Sequence, residues 1–283
     1  MAGPALLRVV RTRADLRVAL AGATRPVGLV PTMGALHAGH ISLIRRARTE
    51  CATVVVSIFV NPRQFNEMAD FERYPRDETA DLAACGAAGA DLAFAPPVEE
   101  VYPAGFQTSV RVGALAEPLE GEARPGHFEG VTTVVAILLG LAGADRAYFG
   151  QKDAQQLLVV RRMALDMGID TEIVSCPIVR EPDGLALSSR NVRLTFEERA
   201  AASVLRRALL AARKRYAAGE RDGDALRATM RDVLSSEPLA APDYVSCADP
   251  ATLRELARVD GGALLSMAVR FGSVRLIDNE SLP

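Results

Sequence analysis

Apolar residues fall in short blocks along the first two-thirds of the chain, and the blocks alternate between two periods. Residues 53–60 (TVVVSIFV) are β-branched and apolar almost without interruption, the pattern of a parallel strand covered on both faces. Residues 27–30 form a shorter run of the same kind, and 90–95, 146–149 and 171–179 are further strand candidates. Between them, residues 78–88, 131–141 and 153–167 place apolar side chains at helical spacing, as do Ile41, Leu43, Ile44 and Ala47. Such alternation predicts βαβ units. Their right-handed crossovers wind into a doubly wound, Rossmann-like parallel sheet of the α/β class, with a ligand crevice beyond the carboxyl ends of the strands.

The pattern changes after about residue 179. Glu181-Pro182-Asp183-Gly184 is a turn signal, and Thr195 and Glu198 stand at capping-box spacing at the start of a long Ala/Arg/Glu-rich helix. A second helical run covers residues 222–236, and strand candidates follow at 243–247, 263–269 and 274–277. The expected division is a Rossmann-like domain of residues 1–179 and a smaller α+β lid domain of residues 180–283.

Composition narrows the classes of function. The chain has 283 residues, 49% hydrophobic and 24% charged, enough for one large core or two unequal ones. A net charge of −2 supplies no basic excess for non-specific nucleic-acid binding, so a small-molecule partner is expected and no nucleic acid. Cys51, Cys85, Cys176 and Cys247 are far apart and form no Cys-x-x-Cys pair, which predicts reduced, buried thiols. No apolar run reaches the roughly 18 residues that span a bilayer. Arg8, Arg11 and Arg13 precede no apolar secretory core, so a cytoplasmic chain without a membrane partner is expected.

Three segments carry candidate chemistry. The first is Val30-Pro31-Thr32-Met33-Gly34-Ala35-Leu36-His37-Ala38-Gly39-His40, which puts two of three histidines at a strand-to-helix turn. Three residues apart on a first helical turn, both imidazoles can face an anion held by backbone N–H groups and the helix dipole. Gly39 between them lacks a Cβ, so a flat base or ribose can come close to the backbone. A lone histidine at a turn is usually a cap or a solvated group; a pair spaced by glycine is less readily explained that way. His-x-Gly-His after Pro-Thr-Met-Gly resembles the signature of the nucleotidyltransferase superfamily, whose paired histidines stabilise the phosphates of ATP.

The second segment is Phe149-Gly150-Gln151-Lys152-Asp153. Lys152 and Lys214 are the only lysines among 33 cationic residues, so arginine supplies nearly every other positive charge. A lysine kept at a strand end points to a task for a compact ammonium, which fits between phosphate oxygens as a broad guanidinium does not. Lys214 lies beside Arg213 and Arg215 on the polar face of a helix, which needs only solvent. The third segment, Leu187-Ser188-Ser189-Arg190-Asn191, joins the two expected domains. Adjacent hydroxyls, an arginine and loop amides suit a polyphosphate, and a hinge position would let them close over it. Without Arg190 the serines would read as an ordinary hydrogen-bonded turn.

Six blocks in order then resemble the pantothenate synthetase (pantoate–β-alanine ligase) family over nearly the whole chain: residues 31–40 (PTMGALHAGH), 59–65 (FVNPRQF), 74–76 (YPR), 124–130 (RPGHFEG), 150–156 (GQKDAQQ) and 180–191 (REPDGLALSSRN). The resemblance implies an ATP-dependent ligase with pantoate and β-alanine as substrates, Mg²⁺ accompanying ATP, and a homodimer. It implies that Met33, Gly34, Ala35, Leu36, His37, Ala38, Gly39 and His40 form one wall of an ATP site, with His40 the assisting acid. Gly150, Gln151, Lys152 and Asp153 would hold ribose and phosphate, with Lys152 neutralising charge as pyrophosphate leaves. The Val179 backbone would contact adenine, and Leu187, Ser188, Ser189 and Arg190 would close over the phosphates. Gln64 and Gln156 match the family's pantoate-binding glutamines, and Asn61 is assigned to β-alanine. Asp81 falls where the family has an acidic, metal-associated patch, but Ala80 and Ala84 beside it depart from that pattern and leave the metal ligands unassigned. The resemblance puts the 124–130 loop, which contains His127, at the subunit contact or the active-site rim, and His127 receives no catalytic role. Two other classes stay open at this point: a nucleotidyltransferase that retains the nucleotide in its product, and a non-catalytic nucleotide- or RNA-binding relative.

Overall fold

The apolar runs at residues 27–30 and 53–60 become adjacent central strands in the computed structural model, which describes residues 7–66 and 68–283. Six parallel strands, β1 (Arg8–Val10), β2 (Val27–Thr32), β3 (Thr53–Ile58), β4 (Leu92–Phe94), β5 (Arg146–Gly150) and β6 (Glu172–Cys176), pair in the order β1-β4-β3-β2-β5-β6. From β2 the chain turns one way to β3 and later returns to the other side with β5. That makes the gap beyond Thr32 and Gly150 the switch point of the sheet, where doubly wound folds bind ligands.

Side-chain alternation fills both faces of this sheet. Leu29, Val55, Ala147 and Phe149 enter one core cluster, with Val131, Val135, Leu138 and Leu139. Their immediate neighbours Val30, Val54, Val56 and Tyr148 enter a second cluster with Leu43, Ile44 and Cys85. The period of two in a strand produces this division, and full burial of each such aliphatic side chain contributes roughly 1.5–3 kcal/mol. Helices α1 (Arg13–Leu20), α2 (Ala38–Glu50), α3 (Glu78–Ala88), α4 (His127–Ala142) and α5 (Ala154–Asp166) supply the covering layers. Of these, α1 and the short β1 are absent from the sequence expectations, and α4 begins four residues before the expected 131.

Contacts divide the chain into two compact units. The first runs to Ala116 and also takes Arg124–Gln151 and Gln156–Pro177; the second comprises Glu117–Ala123, Lys152–Gln155 and Ile178–Pro283. The second unit carries an antiparallel sheet of β7 (Ala241–Ala248), β8 (Ala263–Phe271) and β9 (Val274–Leu282). Its core sets Leu205, Leu209, Leu226 and Met230 against Val245, Leu265, Met267 and Phe271. The Thr195–Glu198 capping box forms as expected. The single long helix does not: it breaks after α6 (Phe196–Ala201) and resumes as α7 (Val204–Ala217), followed by α8 (Gly223–Ser235). Alanine propensity runs through the break, so composition alone gave no sign of it. All four cysteines are free and buried, as composition suggested.

Candidate active site

In the first unit, β2 ends at Thr32 and the next residues form a tight loop before α2. Gly34 and Ala35 both adopt positive φ, 77° and 49°, and the strain at Ala35 needs an anchor. Asp81, buried on α3, provides one: its carboxylate accepts from Ala35 N at 2.9 Å and from Leu36 N at 2.7 Å. Gly34 has to be glycine twice over, since an added Cβ would also fall 2.7 Å from Asp81 Oδ2.

His37 is the N-cap of α2 and His40 stands three residues on, and each ring caps the backbone of the other's turn. Gly39 N donates to His37 Nδ1 at 3.1 Å, and His37 N donates to His40 Nδ1 at 3.3 Å. An Nδ1 that accepts an N–H carries no proton, so in the neutral rings the proton sits on Nε2. The ring centroids lie 4.1 Å apart. The result modifies the sequence reading in one respect. The amides of Ala35, Leu36, His37 and Gly39 are engaged within the protein, and Nε2 is the ring atom that carries the proton in each neutral histidine.

Gln64 meets the same loop. It ends the turn Pro62–Gln64, its Nε2 donates to Met33 Sδ at 2.7 Å, and its Oε1 accepts from Asn61 Nδ2 at 3.0 Å. The donor end of the amide is thereby aimed at the residue that opens the 33–40 loop. Asn61 is 1% exposed. Its Oδ1 accepts from Tyr102 Oη at 2.8 Å and Arg63 N at 3.2 Å, and its Nδ2 also donates to Gly130 O at 3.0 Å. Those four bonds engage both donors and both lone pairs, so a β-alanine contact through Asn61 would require exchange of an internal partner. Burial pushes the Tyr102 phenol up to about 12, which keeps it a donor to Asn61. Gly150 and Gln151 lie at the end of β5, with Gln151 Oε1 accepting from Ser175 Oγ at 2.8 Å. Gln156 is half-buried on α5.

The remaining candidates lie in the second unit. Lys152 is tied by its backbone, whose carbonyl accepts from Asn279 Nδ2 at 2.9 Å, while its ammonium stands 3.6 Å from Asp153 Oδ1. Buried Gln155, next to the candidate Gln156, accepts from Glu120 N at 3.0 Å and donates to Pro118 O at 2.8 Å. Val179 O accepts from Leu187 N at 3.0 Å, closing a hairpin whose Glu181–Gly184 turn is bonded at 2.8 Å. Arg180 anchors that hairpin to β9 through a two-pronged pair with buried Asp278, at 2.6 and 2.9 Å. Beyond the hairpin, Arg190 N donates to Ser188 Oγ at 3.2 Å and Asn191 N to Ser188 O at 3.0 Å. Ser188 is thus the pivot of the turn that carries Ser189 and Arg190.

Asp81 and Tyr102 organise the first-unit cluster without having been assigned to it by sequence, and His127 and Gly130, from the loop placed at the subunit contact or active-site rim, join them. Their signals were weak: each meets its partner only through folding, 46 residues away for Asp81 and Ala35. Both oxygens of Asp81, the residue at the family's metal-associated position, accept backbone N–H groups. Among the described residues, no group of three or more His, Cys, Asp and Glu side chains is placed to hold a metal ion.

A family profile described as pantoate-beta-alanine ligase matches residues 8–281. The pantothenate synthetase of Roseiflexus sp. (strain RS-1) is 60% identical over 273 residues, covering 96% of this chain and 98% of the relative. That of Chloroflexus aggregans (strain MD-66 / DSM 9485) is 62% identical over 274 residues, covering 96% and 99%. Among solved structures, pantoate-beta-alanine ligase (pantothenate synthetase) from Thermus thermophilus superposes with a TM-score of 0.93 at 52% identity, covering 96% of this chain and 98% of that one. The Francisella tularensis pantoate-beta-alanine ligase, complexed with beta-gamma ATP and beta-alanine, gives 0.81 at 32% identity, with 97% of each chain covered. The profile, the relatives and the solved folds agree across nearly the full length, and the chain is an enzyme of the pantoate–β-alanine ligase family, the pantothenate synthetases.

Proposed function

We propose that this enzyme condenses pantoate with β-alanine to pantothenate at the expense of ATP, through a pantoyl-adenylate intermediate. Pantoate's carboxylate attacks the α-phosphorus of ATP and pyrophosphate leaves. The amine of β-alanine then attacks the acyl carbon, AMP departs with the mixed-anhydride oxygen, and the amine nitrogen loses a proton as the amide forms. The substrate is the nucleophile, so the chain needs no activated serine or cysteine and contributes positioning and electrostatic stabilisation. The observation that carries the reading is the meeting, at the end of β2, of a histidine pair whose Nδ1 atoms are both occupied by backbone N–H with a neutral amide donor from Gln64. The beta-gamma ATP and beta-alanine in the Francisella relative support the choice of substrates.

In this reading His37 and His40 donate through Nε2 to the phosphates, with His40 as the assisting acid, and Met33, Gly34, Ala35, Leu36, Ala38 and Gly39 shape the surface beneath the nucleotide. Gly150, Gln151 and Asp153 hold ribose and phosphate, Val179 recognises adenine through its backbone, and Leu187, Ser188, Ser189 and Arg190 bind the phosphates. Lys152 neutralises the charge that develops on departing pyrophosphate. Gln64 and Gln156 bind pantoate, for which neutral amides suffice to donate to hydroxyl and carboxylate without trapping them as ion pairs. Asn61 orients Gln64 and assists β-alanine at the cost of an internal bond. Mg²⁺ enters on the phosphates of ATP, as part of the substrate. We further propose a cytoplasmic homodimer in which residues 1–179 bind ATP and pantoate and residues 180–283 act as a lid.

The test is AMP and pyrophosphate release from ATP and Mg²⁺ with pantoate, with and without β-alanine, alongside mass detection of the amide. AMP that appears only with both substrates, in equal amount to pantothenate, is the expected result. A nucleotide retained in the product, or no ATP turnover under any combination, would reject the reading.

A further inference from the structure

The 124–130 block is a sequence motif to which the proposed reaction gives no task, and its side chains converge on the turn that carries Gln64. Helix α4 starts at His127, behind Gly126 in the left-handed conformation (φ 81°). His127 is buried, and its Nδ1 lies 2.9 Å from the backbone carbonyl of Gln64. Arg124 Nη2 donates to the same carbonyl at 3.0 Å, and Arg124 Nη1 lies 3.1 Å from His127 Nε2. A carbonyl only accepts and a guanidinium only donates, so one ring state satisfies both contacts: neutral, with the proton on Nδ1. One turn further along α4, Gly130 lets the helix touch the turn directly. A Cβ there would fall 2.2 Å from Arg63 O and 2.8 Å from Gln64 N. The Gly130 carbonyl in turn accepts from Asn61 Nδ2, the same amide group that fixes Gln64 Oε1. Asn66 Nδ2 closes the far side of the turn by donating to Pro125 O at 2.6 Å.

We infer that Arg124, His127 and Gly130 form a fixture that sets the position of Gln64, and that His127 is a positioning residue for pantoate, acting through the Gln64 backbone. The inference rests on the proposed role of Gln64. Two donors on one carbonyl and a helix pressed against the neighbouring amide leave the peptide of Gln64 no freedom to rotate, so its side chain starts from a fixed point. Its reach is then limited by Asn61 on one side and Met33 on the other. A fixture of this kind affects the substrate that Gln64 holds and spares the nucleotide, and that asymmetry is what an experiment can read.

The experiment measures kcat and the separate KM values for pantoate, ATP and β-alanine in the purified enzyme and in Gln64→Ala, His127→Ala, His127→Asn and Arg124→Gln, with thermal unfolding of each. Removal of the imidazole is expected to raise the pantoate KM by about tenfold while the ATP KM stays within about twofold. His127→Asn places an amide N–H near the former Nδ1 and should recover most of the loss. Arg124→Gln replaces the guanidinium with a shorter neutral amide at a half-exposed site and so weakens the second bond; it reads the same effect, at about threefold, even where His127→Ala fails to fold. If Gln64→Ala raises the pantoate KM but neither His127→Ala nor Arg124→Gln does, the fixture is wrong and the role of Gln64 survives. KM values that rise together for all substrates, without recovery in His127→Asn, also reject it. If Gln64→Ala leaves the pantoate KM unchanged, the role of Gln64 falls and the fixture falls with it.

Discussion

Asp81 illustrates how a side chain's function depends on what its atoms already hold. Its position in sequence suggested metal chemistry, but its carboxylate holds the amides of Ala35 and Leu36 in a loop where Ala35 sits at positive φ. An asparagine there would turn one acceptor into an N–H facing a backbone N–H. Asp81→Asn is therefore expected to cost about 1–3 kcal/mol in thermal or urea unfolding and to raise the KM for ATP more than that for pantoate. An unchanged ATP KM would show that the loop keeps its shape without the carboxylate. Lys152 makes the opposite case, in which composition singles the residue out: a rare lysine at a strand end. Lys152→Ala should lower kcat about a thousandfold with an unchanged unfolding midpoint, and Lys152→Arg should restore little, because the requirement is a compact charge. Near-normal turnover in either variant would remove Lys152 from the reaction. Residue types at turns were readable because they announce themselves locally; Asp81, Tyr102 and Gly130 act on partners brought close only by the fold.

At the scale of elements, the central strands of the first sheet were legible because both faces are buried and the sequence has to be apolar almost throughout. β3 is buried at every position but the last, and its apolar run overshoots the observed end by only the residues that lead into the Asn61 turn. β1 escaped because three residues, two of them partly exposed at the edge of the sheet, make no pattern. Helix α1 escaped because three of its eight residues are charged and only Leu16 is fully buried. Gly28 shows what pattern cannot carry. It sits within β2, and a Cβ would come 2.9 Å from Cys51 Sγ and 3.2 Å from Tyr148 Cε2. These two side chains also contact each other, at 3.3 Å. Gly28→Ala is expected to cost about 1–3 kcal/mol by overpacking, despite the better strand propensity of alanine. In a double-mutant cycle Cys51→Ala should relieve part of that cost, giving a coupling of at least about 0.5 kcal/mol. Strict additivity would mean that the strand shifts to make room and that Cys51 does not set the limit.

The whole molecule buries its acids of high pKa in both units, which makes its stability depend on alkaline pH in a definite direction. Burial pushes the Cys85 thiol up to about 12 and the Cys247 thiol up to about 11, from an ordinary 9.0, and raises Cys176 as well. Burial likewise raises the phenols of Tyr102, Tyr148 and Tyr244 above an ordinary 10.0. A group whose folded pKa is raised holds its proton more tightly in the native state than in the unfolded chain. Its contribution is complete below the ordinary value and is lost as pH climbs toward the folded value. Each fully buried thiol therefore withdraws up to about 1.4 kcal/mol per pH unit above about 9. The acid side runs in the reverse sense and is gentler. Glu78 is held below its ordinary 4.5 by hydrogen bonding to Arg11, and Asp183 below 3.8 by hydrogen bonding to Arg199, so their contributions disappear only as pH falls below those values. Both pairs are solvent-accessible and screened, which keeps that limb shallow. Urea unfolding under reducing conditions should thus give a midpoint that is level from about pH 6 to 8.5 and drops steeply by pH 10.5. Cys85→Ala and Cys247→Ala, each lowering stability at pH 7 by leaving a cavity, should flatten the alkaline limb because the titrating group is gone. Stability that holds level to pH 11, or a limb that keeps its slope in both variants, would show that thiolate formation in the unfolded chain does not drive the loss.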